Sequence, residues 1–556
     1  MNTPALQSLR NPSSKFLCLI VLLGFGLRLY FMVTHGVVIE NEGAGYAQQA
    51  EELLNGRKFG SAEGGPDLVD TWFFPVLIAA TTLLVKNSEI ATRLVAVVAG
   101  TCLIFPMYFL VLRMYGRSAA NILAALVAVH PLLVALSVAG YTEGLHLTLM
   151  MSGICCAMRM LDPDFGRSWL LAGILFGCAY LNRPEALVFP FLAVLLVVIV
   201  TFLNKYNWRS VTTSVAGFLL VFFLVASPYV IFFWKQTGTI RFEGKNLVNY
   251  TIGQRVLSGM IYAQASRGID ASLNAVGPLL DQNRFATHSP YPTDVRSVAR
   301  YFFRMAGIRK FWLYFDVLTA FALGSLVLWF LAGLGVCGMA WTRQRFFQEL
   351  LLFGVFGYLS IVVLAAHTNF LRYSFPLLPF VLVWASKGIT NLYSWAKNSA
   401  ATILQDSGVR AIVIGCVVAV VPVVLVIGCS AVGIREVGEL ESGWSQHLPI
   451  KEAGLWLRAY QPGPKNIFSS TVMAYYADAY QLIFPYADSE LALRYIRKMN
   501  SDFIVIEPSQ EALAPYLTEW IRQGIPDPDA ELIYEGETRA AGKVQIYRWK
   551  RRQAAR

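Results

Sequence analysis

The chain has 556 residues, 56% of them hydrophobic and only 15% charged, with a formal net charge of +11. Soluble domains carry about 25% charged residues, so this composition, with a mean hydropathy of +0.51, excludes an ordinary soluble protein and requires several membrane spans. The positive charge does not point to nucleic acid, because Lys and Arg collect in short loops between apolar runs, as in cytoplasmic loops of membrane proteins.

The chain is polar to Lys15 and then apolar to Thr34, with no small-residue cleavage site after it. This predicts an uncleaved first helix and not a signal peptide. Further apolar runs at 90–112, 118–138, 142–161, 168–182, 185–204, 211–234, 313–341, 347–366, 371–390 and 410–433 bring the expectation to about eleven spanning helices, at roughly 20 residues each. The run Phe73 to Val85 is shorter and is expected to lie in the interface or to re-enter.

That choice sets sidedness. With 73–85 not spanning, Arg10, Lys15, Arg113, Arg117, Arg159, Arg167, Lys205, Arg209, Arg343, Arg345, Lys387, Lys397 and Arg410 all fall on one side. The N-terminus is then cytoplasmic, and loops 35–89 and 236–312 lie outside. The chain divides into a transmembrane domain, 1–434, and an extracytoplasmic domain, 435–556. In the latter, Lys465–Phe468, Leu482–Phe484, Asp502–Ile506 and Val544–Tyr547 read as short strands, and 488–499 and 510–523 carry helical periodicity. The expected architecture is a polytopic α-helical membrane protein with interfacial helices in its first outer loop and a small C-terminal α/β domain.

All eight cysteines fall in apolar segments without metal or disulfide spacing, and are read as packing residues. The six histidines show no HxxxH or HExxH pattern. His35, His288 and His367 are all expected outside, so a divalent metal held by separated loops stays open beside the plainer role of interfacial hydrogen bonding.

The strongest chemical signal is the acidic stretch Glu40-Asn41-Glu42-Gly43-Ala44-Gly45-Tyr46 directly after the first span. Asp67, Asp70, Glu143, Arg183, Glu185, Arg372 and Tyr373 are expected on the same outer side. Carboxylates beside arginines suit transfer at a phosphate-linked carbon. The arginines neutralise a leaving phosphate and a carboxylate takes the acceptor's proton. Plainer roles fit the same residues. A Glu or Arg at a helix end serves as an interfacial anchor, Arg183-Pro184-Glu185 reads equally as a helix stop and start, and Glu42 as a first-turn acid.

Several motifs together resemble a known family. Glu42-Gly43-Ala44-Gly45-Tyr46-Ala47-Gln48-Gln49-Ala50-Glu51-Glu52-Leu53-Leu54-Asn55-Gly56 resembles the first outer loop of the dolichyl-phosphate-mannose protein mannosyltransferase-like enzymes, among them the bacterial aminoarabinose lipid A transferases. Ala91-Thr92-Arg93-Leu94, Leu112–Gly116, His130-Pro131, Gly177–Glu185, and Arg372-Tyr373 followed by Pro376 and Pro379 continue the resemblance in order. These are C-type membrane glycosyltransferases. The resemblance implies transfer of a sugar from a polyprenyl-phosphate donor to a protein, lipid or glycan acceptor, with inversion, at the outer face of a bacterial plasma membrane. It makes Glu42 the catalytic base and Glu40 its helper, with Tyr46, Asp70, Glu143, Arg183, Glu185, Arg372 and Tyr373 binding substrate. The family's first loop carries two adjacent acids, whereas here Asn41 separates Glu40 from Glu42. A flippase or a non-catalytic scaffold are the competing classes. A transporter is expected to show charged or broken helices at membrane depth, and the sequence reading finds none.

Overall fold

A computed structural model describes residues 12–34, 38–56, 60–61, 65–160, 167–204, 208–288, 294–305, 307, 326–365, 371–403, 424, 447–538 and 542–550. The chain opens with α1 (Pro12–Thr34), followed by α2 (Asn41–Leu54) and α3 (Phe73–Val85). The helices α4 (Ser88–Cys102), α5 (Ile104–Tyr115), α6 (Arg117–Val129), α7 (Pro131–Val138), α8 (Glu143–Arg159) and α9 (Ser168–Asn182) come next. After a 3-10 turn, Pro184–Val188, follow α10 (Phe189–Asn204) and α11 (Trp208–Thr237). The stretch after α11 holds α12 (Lys245–Leu257), α13 (Tyr262–Arg267), α14 (Gln282–His288) and α15 (Val295–Met305). Then come α16 (Leu326–Cys337), α17 (Arg343–Ala365) and α18 (Leu378–Ile403).

Among the described residues, six helices are long and apolar enough to cross a membrane, or up to seven when a bent pair is taken as one span. The chain is thus a multi-helix membrane protein. The expected run 410–433 lies outside the described residues apart from Val424, as does 313–325. Two expected spans are not single straight helices. Ser88 to Tyr115 is divided into α4 and α5 at Leu103, and α6 and α7 meet at 48° across His130.

The second break has a clear cause and corrects the expectation of no broken or charged helix. Pro131 has no amide hydrogen, so the carbonyl of Val127 loses its helical donor. Arg28, inside α1 and fully buried, replaces it. Its Nη2 donates to the carbonyl of Val127 at 3.0 Å, and its Nη1 to those of Ala128 at 2.9 Å and Gly24 at 3.0 Å. Its Nε donates to Ser137 Oγ at 3.2 Å. An arginine so saturated is a structural clamp. Each of its three nitrogens answers an acceptor that hydrocarbon leaves bare.

A buried ion pair ties α5, α16, α17 and α18 together. Glu349 of α17 is fully buried and accepts from Tyr115, from Arg345 Nε at 3.3 Å, and from Trp384 Nε1 at 2.9 Å. The remaining guanidinium donors of Arg345 go to the carbonyls of Gly335, Val336 and Met339.

The C-terminal domain begins with α19 (Leu448–Tyr460) and contains β1 (Asn466–Phe468), α20 (Thr471–Ala477), β2 (Tyr480–Leu482), α21 (Ser489–Lys498), β3 (Phe503–Ile506), α22 (Tyr516–Gln523), β4 (Ala530–Thr538) and β5 (Gly542–Trp549). The sheet order is β2-β1-β3-β5-β4, with β2, β1 and β3 parallel and β5 antiparallel to both of its neighbours. Ser470 and Asp488 cap α20 and α21, their side chains accepting from Met473 and Leu491 amides. The sequence reading finds the buried strands but misses β4, whose Ala-Glu-Leu-Ile-Tyr-Glu-Gly-Glu-Thr carries three acids and pairs only with β5.

This domain is not loosely tethered. Val38, Ile39, Ala44 and Ala47 at the start of α2 share one hydrophobic core with Ile450, Ala453, Leu457, Val472, Met473 and Tyr476. Polar ties reinforce the seam. The Ile39 amide donates to the Tyr476 hydroxyl at 3.2 Å, Gln48 Nε2 to the carbonyl of Ala479 at 3.0 Å, and Lys451 Nζ to Glu89 at 3.1 Å.

Candidate active site

Helix α2 is steered into place by its glycines and its cap. Glu40 is the N-cap residue in extended conformation, and its carbonyl accepts from the Ala44 amide at 2.7 Å. A Cβ on Gly43 would lie 3.3 Å from the carbonyls of both Ala139 and Gly140, so glycine permits α2 to sit against the end of α7. Glu42 falls in the first turn, where the helix dipole favours its charge.

From there α2 forms one wall of a cavity of about 210 Å³. Asn41, Glu42, Gly45, Tyr46 and Gln49 face it from α2, and Ser61, Asp67, Val69 and Asp70 from the loop that follows. Lys245, Gln282 and Asn283 close it from the stretch between α11 and α15, and Thr471 and Gln481 from the C-terminal domain. Three stretches far apart in sequence thus build one chamber.

The loop carrying Asp70 is held by Asp67. One carboxylate oxygen of Asp67 accepts from the amides of Val69 and Asp70, both at 2.8 Å, and the other from Gln49 Nε2 at 2.6 Å. Burial, with the charge of Asp70 behind it, pushes the Asp67 carboxyl up to about 7. Asp70 accepts from Lys245 Nζ at 2.8 Å. Although burial opposes it, the charge of Asp70, with that of Glu42, holds the Lys245 ammonium well above the ordinary lysine range. Tyr46 packs edge-on to Phe74, centroids 5.4 Å apart, and burial followed by the charge of Asp70 raises its phenol, which stays protonated.

The expected residues separate into groups. Glu42, Tyr46 and Asp70 share the chamber. Glu40 does not line it. Its charge is instead felt by Arg93, which is paired with Glu89 at 3.0 Å. Arg183, Glu143 and Glu185 come together beside the chamber. Arg183 donates to Glu143 at 2.9 Å and to Glu185 at 2.5 Å, while Glu143 is only 1% exposed. A bond from Thr71 Oγ1 to the carbonyl of Asn182, at 2.8 Å, joins this cluster to the Asp70 loop. Arg183 is therefore already engaged by two carboxylates. Arg372 and Tyr373 lie on the 3-10 turn Leu371–Leu377, and their side chains are outside the described residues. So are His35, His367 and the side chain of His288.

Sequence reasoning missed Lys245, Gln49, Asn283, Thr471 and Gln481. Lys245 did leave a signal. It opens α12, and a cation at a helix N-terminus opposes the dipole, so such a lysine is placed for something other than helix stability. The amides and Thr471 carry no comparable sign.

Among the described residues, no group of three His, Cys, Asp or Glu is placed to hold a metal ion. The divalent metal that the sequence left open rests on His35, His288 and His367, whose side chains lie outside the described residues, while Asp70 of the chamber is paired with the Lys245 ammonium.

The fold recurs in known proteins. The fold is similar to that of ArnT from Cupriavidus metallidurans bound to undecaprenyl phosphate, with a TM-score of 0.55 at 11% identity over 96% of this chain and 97% of the other. It is also similar to the Archaeoglobus fulgidus oligosaccharyltransferase tethered to an acceptor peptide containing the NVT sequon, with a TM-score of 0.59 at 12% identity over 97% of this chain and 74% of the other. The same archaeal enzyme, in complex with Zn and sulfate, matches with a TM-score of 0.51 at 14% identity over 95% and 72% of the two chains. The search of curated proteins by sequence found no match. The chain thus shares its fold with these two proteins. Residues 70–232, beginning at Asp70 itself, match the model of the dolichyl-phosphate-mannose-protein mannosyltransferase family.

Proposed function

We propose that this protein is a glycosyltransferase that moves a sugar from a polyprenyl-phosphate carrier to a protein, lipid or glycan acceptor at the outer face of the membrane, with inversion. One observation carries the reading. Glu42 shares a polar chamber with the Lys245–Asp70 pair, and that chamber is walled by all three outer pieces of the chain.

In the proposed step, the Glu42 carboxylate takes the proton of the acceptor hydroxyl as its oxygen bonds to the sugar's anomeric carbon. The bond from that carbon to the phosphate oxygen breaks on the opposite face. The electron pair leaves on the polyprenyl phosphate. Lys245, kept charged by Asp70, offers the positive charge that this leaving group needs. The neutral amides of Asn41, Gln49, Gln282, Asn283 and Gln481 suit sugar hydroxyls, which both donate and accept. Asp70 positions Lys245, and Glu40 supports α2 as its cap. The Arg183 cluster holds the Asp70 loop through Asn182. Arg372 and Tyr373 are assigned to the donor side by the resemblance alone.

The remaining topology belongs to the same reading: about eleven spans, a cytoplasmic N-terminus, the C-terminal domain outside, and a bacterial plasma membrane. The basic loops and the similarity to ArnT support it. Transfer of radiolabelled sugar in vesicles is the direct test. Glu42→Gln abolishes transfer with the melting temperature unchanged, and full transfer by the folded variant overturns the site. Mass spectrometry of envelope glycans and glycoproteins, with and without the gene, names the sugar and the acceptor.

A further inference from the structure

Helix α15 has a composition that the chamber does not explain. Its sequence is Val-Arg-Ser-Val-Ala-Arg-Tyr-Phe-Phe-Arg-Met, and Arg296, Arg300 and Arg304 recur every four residues. At 1.5 Å per residue this sets three guanidinium groups on one stripe, about 6 Å apart. All three are exposed. Like charges four residues apart destabilise a helix, so the stripe does not serve the helix itself. Asp294 offsets part of the charge at the N-terminal end only, where its carboxylate accepts from Ser297.

The opposite face is anchored. Tyr301 and Met305 are buried, and the Tyr301 ring packs tilted against that of Tyr250 of α12, centroids 4.8 Å apart. The Tyr301 hydroxyl occupies the space where a Cβ on Gly253 would be. α15 packs against α12 and against α17, one of the helices long and apolar enough to cross a membrane. The basic stripe is thus carried beside a span. Helical geometry puts Phe303, 81% exposed, on the same face as the arginines. An exposed aromatic among arginines, next to a span, is the pattern of a helix lying in the headgroup layer. There the guanidinium groups meet phosphates and the ring enters the acyl boundary.

We propose that α15 is a docking site for acidic phospholipid, with Arg296, Arg300 and Arg304 binding headgroup phosphates of the bilayer that α17 crosses. Because α15 grips α12 through Tyr301, and α12 begins at Lys245, bound lipid also steadies the wall of the chamber. This inference does not depend on the transfer reaction.

The test uses the purified full chain in neutral detergent, with the melting temperature followed as phosphatidylglycerol, phosphatidylcholine or inorganic phosphate is added. Phosphatidylglycerol is expected to raise the melting temperature in a saturable way, and phosphatidylcholine and phosphate are not. Arg296→Gln/Arg300→Gln/Arg304→Gln is expected to shift the phosphatidylglycerol midpoint at least tenfold upward, and the triple Lys variant to keep most of the response. An equal effect of phosphatidylcholine, or an unchanged midpoint in the Gln variant, overturns the proposal. An equal effect of phosphate reassigns the stripe to a free anion and overturns it too. If the triple Gln variant does not fold, Arg300→Gln is judged by the same midpoint.

Discussion

Two of the clusters in this protein that combine a carboxylate with a cation differ in one respect. At Glu349, three side-chain donors converge on a fully buried carboxylate, and the other donors of Arg345 are taken up by backbone carbonyls. At Glu42 and Lys245 the charged groups face a chamber of about 210 Å³, and the Lys245 side chain is 39% exposed. The first cluster is saturated and has no room. The second keeps unfilled space beside its charges. An ionisable group inside a membrane protein is therefore not by itself a sign of chemistry. The sign is charge next to volume.

That contrast can be broken from either side. The largest effect is expected at Glu42, where Gln lowers transfer by about 10²–10⁴-fold, the usual contribution of a general base, with little change in stability. In the saturated cluster, Arg345→Met leaves Glu349 buried without its ion partner and costs about 3–5 kcal/mol of stability. Transfer per folded molecule then stays at the wild-type level, as read by melting and by activity normalised to folded protein. A large activity loss there without unfolding would erase the distinction. Lys245→Gln is expected to reduce transfer about tenfold or more, since it removes charge from the leaving group. Its effect on stability stays within about 1 kcal/mol, because both partners are partly exposed.

A pH titration sharpens the comparison further. The Asp67 carboxyl is raised to about 7, so between its ordinary range near 4 and pH 7 the folded chain holds a proton that the unfolded chain releases. Its contribution to stability is complete below that window and is lost as pH rises through it. Asp67→Asn is expected to flatten this part of the melting-temperature profile, and an unchanged slope would remove Asp67 as its source. The smallest effect is expected at Gln481→Ala. A rise of several-fold in donor KM with nearly unchanged kcat marks a group that binds the sugar without taking part in bond breaking.

How far the sequence reveals this depends on the kind of signal each residue leaves. Hydropathy and loop charge reveal the membrane class, and alternation reveals β1, β3 and β5. Position after a span picks out Glu42 and Tyr46, and Asp70 follows from its place before α3. Arg28 escapes because one arginine among apolar residues scarcely moves a window average, and the break at Pro131 that needs it lies about a hundred residues away. Glu40 looks like half of a pair in sequence, yet a helix start turns neighbouring side chains to different sides, and the carboxylate that shares the chamber with Glu42 is Asp70. Gln49, Asn283 and Gln481 are neutral amides that no local pattern distinguishes. Only the fold brings them together.

The shared seam between α2 and α20 has a consequence for the life of the molecule. Ribosomes release the membrane helices first, and domains fold in the order they emerge. Thr471 and Gln481 lie near the end of the chain, and the same late segment fixes the helix that carries Glu42. A nascent chain that has already inserted its helices still lacks a finished chamber. The chamber is closed only once Thr471 and Gln481 have followed the membrane helices, so a product arrested before them lacks that wall.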